Sequence, residues 1–187
     1  MMAGRWYIWL VVVTLGALNG SWAVADQKDS RLPSLFRELA AAKGAGPAER
    51  IENRIWAIWL APPAGRDVAG AMNRGLSAMA AGRPREALLA FDAVVRLAPD
   101  FAEGWNKWAT VRYALRDLDG SALDIDRTLA LEPRHFGALS GLGLVRLAQD
   151  RPADALAAFE AALAIHPTMA GAEKIAALRD RVRGRPL

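Results

Sequence analysis

The sequence predicts an all-α fold: three helix-turn-helix units of equal length stacked as a solenoid, with a helix hairpin before them and a capping helix after. Three observations carry this. Pro99, Pro133 and Pro167 are each 34 residues apart, and an internal period of that length marks a stacked array. Aligned on those prolines, residues 68–101, 102–135 and 136–169 agree column by column without a gap. Gly75, Ala109 and Gly143 coincide, as do Ala87, Ser121 and Ala155, and the apolar sets Phe91, Ile125, Phe159 and Leu97, Leu131, Ile165. Finally, 39 alanines among 187 residues combine high helix propensity with thin side chains, so antiparallel helices can approach closely.

The chain opens with Arg5, an apolar run from Trp6 to Leu18, then Asn19-Gly20-Ser21 and Ala23-Val24-Ala25 ahead of Asp26. A basic start, a short apolar stretch and a small-x-small site predict a cleaved export signal over 1–25, placing the protein in a bacterial periplasm. The competing reading is an uncleaved inner-membrane anchor, because Trp6 to Ala25 carries no charge. Residues 26–61 come next, polar and frayed as far as 31. Leu32, Leu35, Phe36 and Leu39 then mark one helical face, and Lys43-Gly44-Ala45-Gly46 breaks that helix. Pro47 suits the first turn of a second helix, whose Ile51, Ile55, Trp56, Ile58, Trp59 and Leu60 form a wide apolar face. The pair reads as a hairpin stacked ahead of the repeats. Residues 62–67, with Pro62-Pro63, form a stiff linker in which Asp67 caps the next helix.

Each unit reads as two helices. In the third, Leu139, Leu142, Leu144 and Leu147 give a helical apolar pattern broken at Asp150-Arg151-Pro152. Pro152 then starts a helix carrying Leu156, Phe159 and Leu163, which His166-Pro167 ends. The first unit breaks at Gly82-Arg83-Pro84 and the second at Asp117-Leu118-Asp119-Gly120. Beyond the repeats, over 170–187, Ala172, Ile175, Ala176, Leu178 and Val182 continue an apolar stripe from Met169, with Lys174, Arg179, Arg181 and Arg183 off it. That is a capping helix with a basic tail, which a solenoid needs to close its last unit.

These residues resemble the tetratricopeptide repeat (TPR), whose pattern is W-x2-L-G-x2-Y…A-x3-F…P. Trp105 fills its tryptophan position, Leu142-Gly143 its Leu-Gly pair, and Ala87, Phe91 and Pro99 its second-helix signature. Residues 102–107 and 131–139 are similar to those of an uncharacterised group of exported bacterial and plastid TPR proteins. The resemblance implies a right-handed α-solenoid with an interaction role and brings no known reaction. Arg74 departs from it, standing where a large apolar residue is usual, and Arg112 and Arg146 replace the usual tyrosine.

Composition excludes several function classes. With no cysteine there are no disulfides, thiolate metal sites or cysteine nucleophiles. The net charge of +4 does not point to nucleic acid: residues 68–169 hold eleven basic against twelve acidic side chains, and the surplus sits in 170–187. That tail allows at most a weak contact with an anionic envelope surface. His135 and His166 flank prolines without a partner at ligand spacing and read as solvated turn residues. Asp117, Asp119, Asp124 and Asp126 lack the glycine and closing glutamate of a calcium loop. No phosphate-binding loop or nucleophile elbow occurs. The expectation is therefore no catalysis, no cofactor and no metal. Among the tryptophans, Trp59 and Trp105 are assigned to the core, and Trp56 is the exposed aromatic contact.

The TPR resemblance further implies that the first helix of each unit lines a concave groove. Carried over by column, the groove takes Met72, Leu76 and Met79 from the first unit and Glu103, Asn106, Lys107, Thr110 and Tyr113 from the second. The third adds Ser140, Leu144 and Leu147. The places where chaperone-tail-binding TPRs hold a basic carboxylate clamp are Met72, Leu76, Lys107, Gly137 and Gly141, of which only Lys107 is basic. Adaptable methionines beside a polar middle suit an apolar or amphipathic segment of a partner protein. The expected function is thus an exported, non-enzymatic adaptor. A cell-wall glycan-binding module and a structural subunit self-associating through Trp56/Trp59 are the alternatives, and the chain's own N-terminal helices are a competing occupant of the groove.

Overall fold

Breaks and helix starts fall where proline, glycine and aspartate punctuate the sequence. The computed structural model describes residues 27–63 and 65–184, and the predicted export signal over 1–25 lies outside them. Nine helices occur among the described residues: α1 (Leu32–Ala41), α2 (Ala45–Trp59), α3 (Arg66–Ala80), α4 (Pro84–Leu97), α5 (Ala102–Ala114), α6 (Leu118–Leu131), α7 (Phe136–Ala148), α8 (Pro152–Ile165) and α9 (Ala172–Val182). None of them is long and apolar enough to cross a membrane. Pro84 and Pro152 sit in the first turns of α4 and α8, where a missing N–H costs nothing. The Asp117 side chain caps α6 by accepting the Gly120 N–H at 3.0 Å. Asp67 does not cap α3: the helix opens at Arg66 on Gly65, so Asp67 lies within its first turn.

The small-residue columns are the helix crossings. In the first and third units, a Cβ on Gly75 or Gly143 would collide with the ring of Phe91 or Phe159. Each phenylalanine therefore fills the space its glycine leaves, and burying such a ring stabilises by roughly 1.5–3 kcal/mol. In the second unit Ala109 and Ile125 take these places, and the buried Ser121 hydroxyl donates to the Ala109 carbonyl at 2.8 Å. Within α5 and α7, Gly104, Ala138, Val111 and Val145 are buried. Gly104 lies against Val94 of the preceding unit, where no side chain would fit. The equivalent positions of α3 are the half-buried Gly70 and the exposed Ser77, and Asn73 and Arg74 between them are exposed as well. Among the described residues no unit covers them, so the departure at Arg74 is the polar outer face of the solenoid's first end. At the other end α9 lays Ile175 and Leu178 on the cluster of Ala155, Leu156 and Phe159, and Arg179 bonds Glu160 at 2.6 Å.

The N-terminal hairpin departs from the expectation. It does not stack ahead of the first unit but folds back onto the last. Leu32, Leu35, Phe36 and Leu39 of α1 and Ile55, Ile58 and Trp59 of α2 share one buried cluster with Phe136 of α7 and Ala162 of α8. Residues 27–31 are not frayed either. Gln27 is buried, its amide N–H bonded to the Asp100 carbonyl, while its oxygen accepts the Ala102 N–H at 3.3 Å and so caps α5. The hairpin thus runs along the edge where the loops joining successive units lie.

Candidate functional site

The concave face of α3, α5 and α7 has two ends. One lies at the N-termini of these helices, beside the loops that join successive units. The other lies beside the turns within each unit. At the loop end, α5 presents Glu103, Asn106 and Lys107. Glu103 is 1% exposed and would be costly as a bare charge. Three neighbours surround it: Asn106 Nδ2 donates to Oε2 at 2.8 Å, His135 Nε2 donates to the same oxygen at 2.9 Å, and Lys107 Nζ forms an ion pair with Oε1 at 2.9 Å. Burial pushes this carboxyl up, but the Lys107 charge and the His135 hydrogen bond outweigh it and hold the group at about 2.

The expectation that His135 and His166 are solvated is corrected. They are 0% and 2% exposed. His135 caps α7, its Nδ1 accepting the Ala138 N–H at 3.1 Å, so Nε2 carries the proton donated to Glu103. His166 Nε2 donates to Glu52 of α2 at 3.1 Å, and Glu52 also accepts from Trp56 Nε1 at 3.0 Å. Burial raises the Glu52 carboxyl, yet these two hydrogen bonds bring it below its ordinary value. A proline neighbour marks a turn, but carboxylates 32 and 114 residues away decide burial here. The residue directly ahead of a helix was a legible signal for His135 as a cap; nothing local identified Glu52 or Gln27.

The two histidines are joined by aromatic rings. Trp59 stacks on His135 with centroids 4.1 Å apart and planes at 9°. Trp56 meets Trp59, His135 and Phe136 edge-on, and Phe136 meets His166 in the same way. Trp56 is partly exposed, as its place in the helix implies, but it is no free-standing contact. Its ring lies against Gly137 and under Lys107, whose Nζ is 5.5 Å from the centroid. Trp105, assigned to the core, is half-exposed instead. Its Nε1 donates to the Pro99 carbonyl at 2.9 Å and Arg127 lies over the ring.

At the turn end the groove columns are partly exposed. Leu76, Met79, Thr110, Tyr113 and Leu144 are half-buried, and Leu147 is exposed. Met72 is buried within the first unit's core and Ser140 bonds the Phe136 carbonyl, so neither offers a free contact. The two arginines in place of tyrosine serve this edge. Arg112 lies over Trp108 and pairs with Asp124 at 3.2 Å and Asp117 at 3.7 Å. Arg146 donates to Gln149, which in turn donates to Asp119. Asp124 is almost buried, and burial beside Asp117 raises its carboxyl to about 6 against the pull of Arg112.

The repeat register has counterparts in known proteins. The sequence profile of the tetratricopeptide repeat matches residues 72–107 and 106–170. A TPR repeat-containing protein of Rhizobium etli is 32% identical over 160 residues, spanning 82% of this chain and 76% of the relative. The TPR2B domain of yeast Sti1, solved as its pHsp70 complex, superposes with a TM-score of 0.58 at 19% identity, over 65% of this chain and 100% of that one. The first TPR of Spaghetti (RPAP3), bound to the HSP90 peptide SRMEEVD, gives 0.61 at 16% identity, over 64% and 96%. With its repeats matched throughout and a relative aligned over most of its length, this chain belongs to the tetratricopeptide-repeat family.

Proposed function

We propose that the protein is an exported, non-catalytic adaptor that binds an apolar or amphipathic segment of a partner protein on the turn-side end of its concave face. The observation that carries this reading is the line of partly exposed apolar side chains on three successive first helices: Leu76 and Met79, then Tyr113, then Leu144, ending at the exposed Leu147. A helix laid along such a surface buries its own apolar face there. The Sti1 and RPAP3 domains, seen with chaperone peptides, are of the same fold. An acidic peptide end is not the ligand favoured here. Lys107, the single basic residue among the groove columns, is already paired with Glu103 and lies over the Trp56 ring. The basic start, apolar run and small-x-small site over 1–25, which predict an export signal, support an envelope location.

The test is affinity purification from the native envelope with the wild type and with Met79→Glu/Leu147→Glu. The double variant should keep its helicity by circular dichroism and lose the co-purified partner. Unchanged capture would remove the groove from the account.

A further inference from the structure

At the loop-side end, α2 occupies the concave face as a bound helix would. Glu52, Trp56 and Trp59 are spaced i, i+4 and i+7, so they share one helical face. What they meet is assembled by the repeats from three distant places: Lys107 on α5, His135 and Gly137 at the start of α7, and His166 at the end of α8. Trp56 occupies the space that Gly137 leaves, where a Cβ would come within 2.7 Å of the ring. Trp59 stacks on His135, and Glu52 takes the His166 hydrogen bond. The charges are complementary, a carboxylate on the helix facing donors on the repeats. The seating is also imperfect. Trp59 Nε1, His166 Nδ1 and Thr168 Oγ1 are buried without a hydrogen-bond partner among the described residues. Each such group loses its hydration without a replacement, which offsets part of what the buried rings contribute. A hairpin joined to the repeats through Pro62-Pro63 is therefore held by side-chain contacts that a competitor could supply.

We propose that the surface formed by Lys107, His135, Gly137 and His166 is a receptor for a helix that carries a carboxylate and a pair of tryptophans on one face. In this reading α2 is its resident ligand and exchanges with a helix of the same kind on a partner protein. This holds whether or not the turn-side end binds anything. A resident helix lowers the apparent affinity for a competitor by the fraction of molecules in which it is detached.

The experiment titrates a fluorescently labelled synthetic peptide with the sequence of residues 45–60 into the full chain, read by anisotropy. Trp56→Ala in the chain weakens the resident helix and leaves the receptor whole, so the peptide should bind at least about tenfold more tightly than to the wild type. Adding Gly137→Leu fills the seat of the ring and should abolish that gain. Glu52→Ala is a second way to loosen α2 and should act in the same direction. Equal binding to all chains, or none to a folded loosened chain, overturns the proposal. Loss of helicity in both loosened chains also overturns it, because α2 would then be an obligatory part of the fold.

Discussion

The two ends of the concave face are built from the same three helices and have opposite characters. At the loop-side end every charge is matched and the surface is closed. Glu103 has three donors or cations around it, both histidines have carboxylates, and α2 lies over them. At the turn-side end apolar side chains stand partly exposed, and buried polar atoms without a hydrogen-bond partner among the described residues occur at both ends. Asp124 has an oxygen with no hydrogen-bond partner among the described residues, although Arg112 is near. The contrast teaches that a 34-residue register does not by itself say which part of a groove is available. That is decided by the chain outside the repeats, which here folds back over one end and leaves the other.

The largest effect should come from breaking the closed end. Glu103→Ala leaves His135 Nε2–H and Asn106 without their acceptor and should cost about 3 kcal/mol in denaturant unfolding. The same carboxylate gives the closed end a pH signature. Its folded value of about 2 lies below the ordinary 4.5, so its contribution is complete above the ordinary value and is lost as pH falls toward 2. Unfolding curves between pH 5 and 2 should show a shallower loss of stability for the variant than for the wild type. Parallel curves would break the comparison at this end.

At the open end the sign reverses and the effect is smaller. Asp124 binds its proton more tightly folded than unfolded, so wild-type stability falls as pH rises from the ordinary 3.8 through about 6. Asp124→Asn removes that dependence. Relative to the wild type it should gain on the order of 1 kcal/mol between pH 5 and pH 7.5, about 2–4 °C in melting temperature. A gain that does not change with pH would show that Arg112 satisfies the ionised carboxylate fully.

Repeats, turns, helix crossings and the cap were legible because each rests on residues close in sequence and recurring in register. Pro99, Pro133 and Pro167 with Gly75 and Gly143 are enough to place six helices. The closed end was not legible, because it depends on pairs separated by long stretches of chain: Gln27 with Asp100, Glu52 with His166, Trp59 with His135. The apolar face of α2 was visible, but not what it covers. Local chemistry was even misleading for the histidines, since a neighbouring proline says turn and says nothing about burial. For Trp105, the family position implied a core side chain, yet a bond to the Pro99 carbonyl holds the indole at the surface. Arg74 is the converse case, a departure from the family pattern that fits a helix face left exposed among the described residues.

The chain contains no cysteine, so single substitutions can report directly on how the two ends differ. Asn106→Cys places a thiol where the native residue at the loop-side end is 7% exposed, and Leu147→Cys one where it is 37% exposed. Maleimide labelling of the folded proteins should be slower at position 106 on the order of tenfold or more, with equal rates in denaturant. Equal rates in the folded proteins would contradict the account, because the loop-side end would then stand as open as the other.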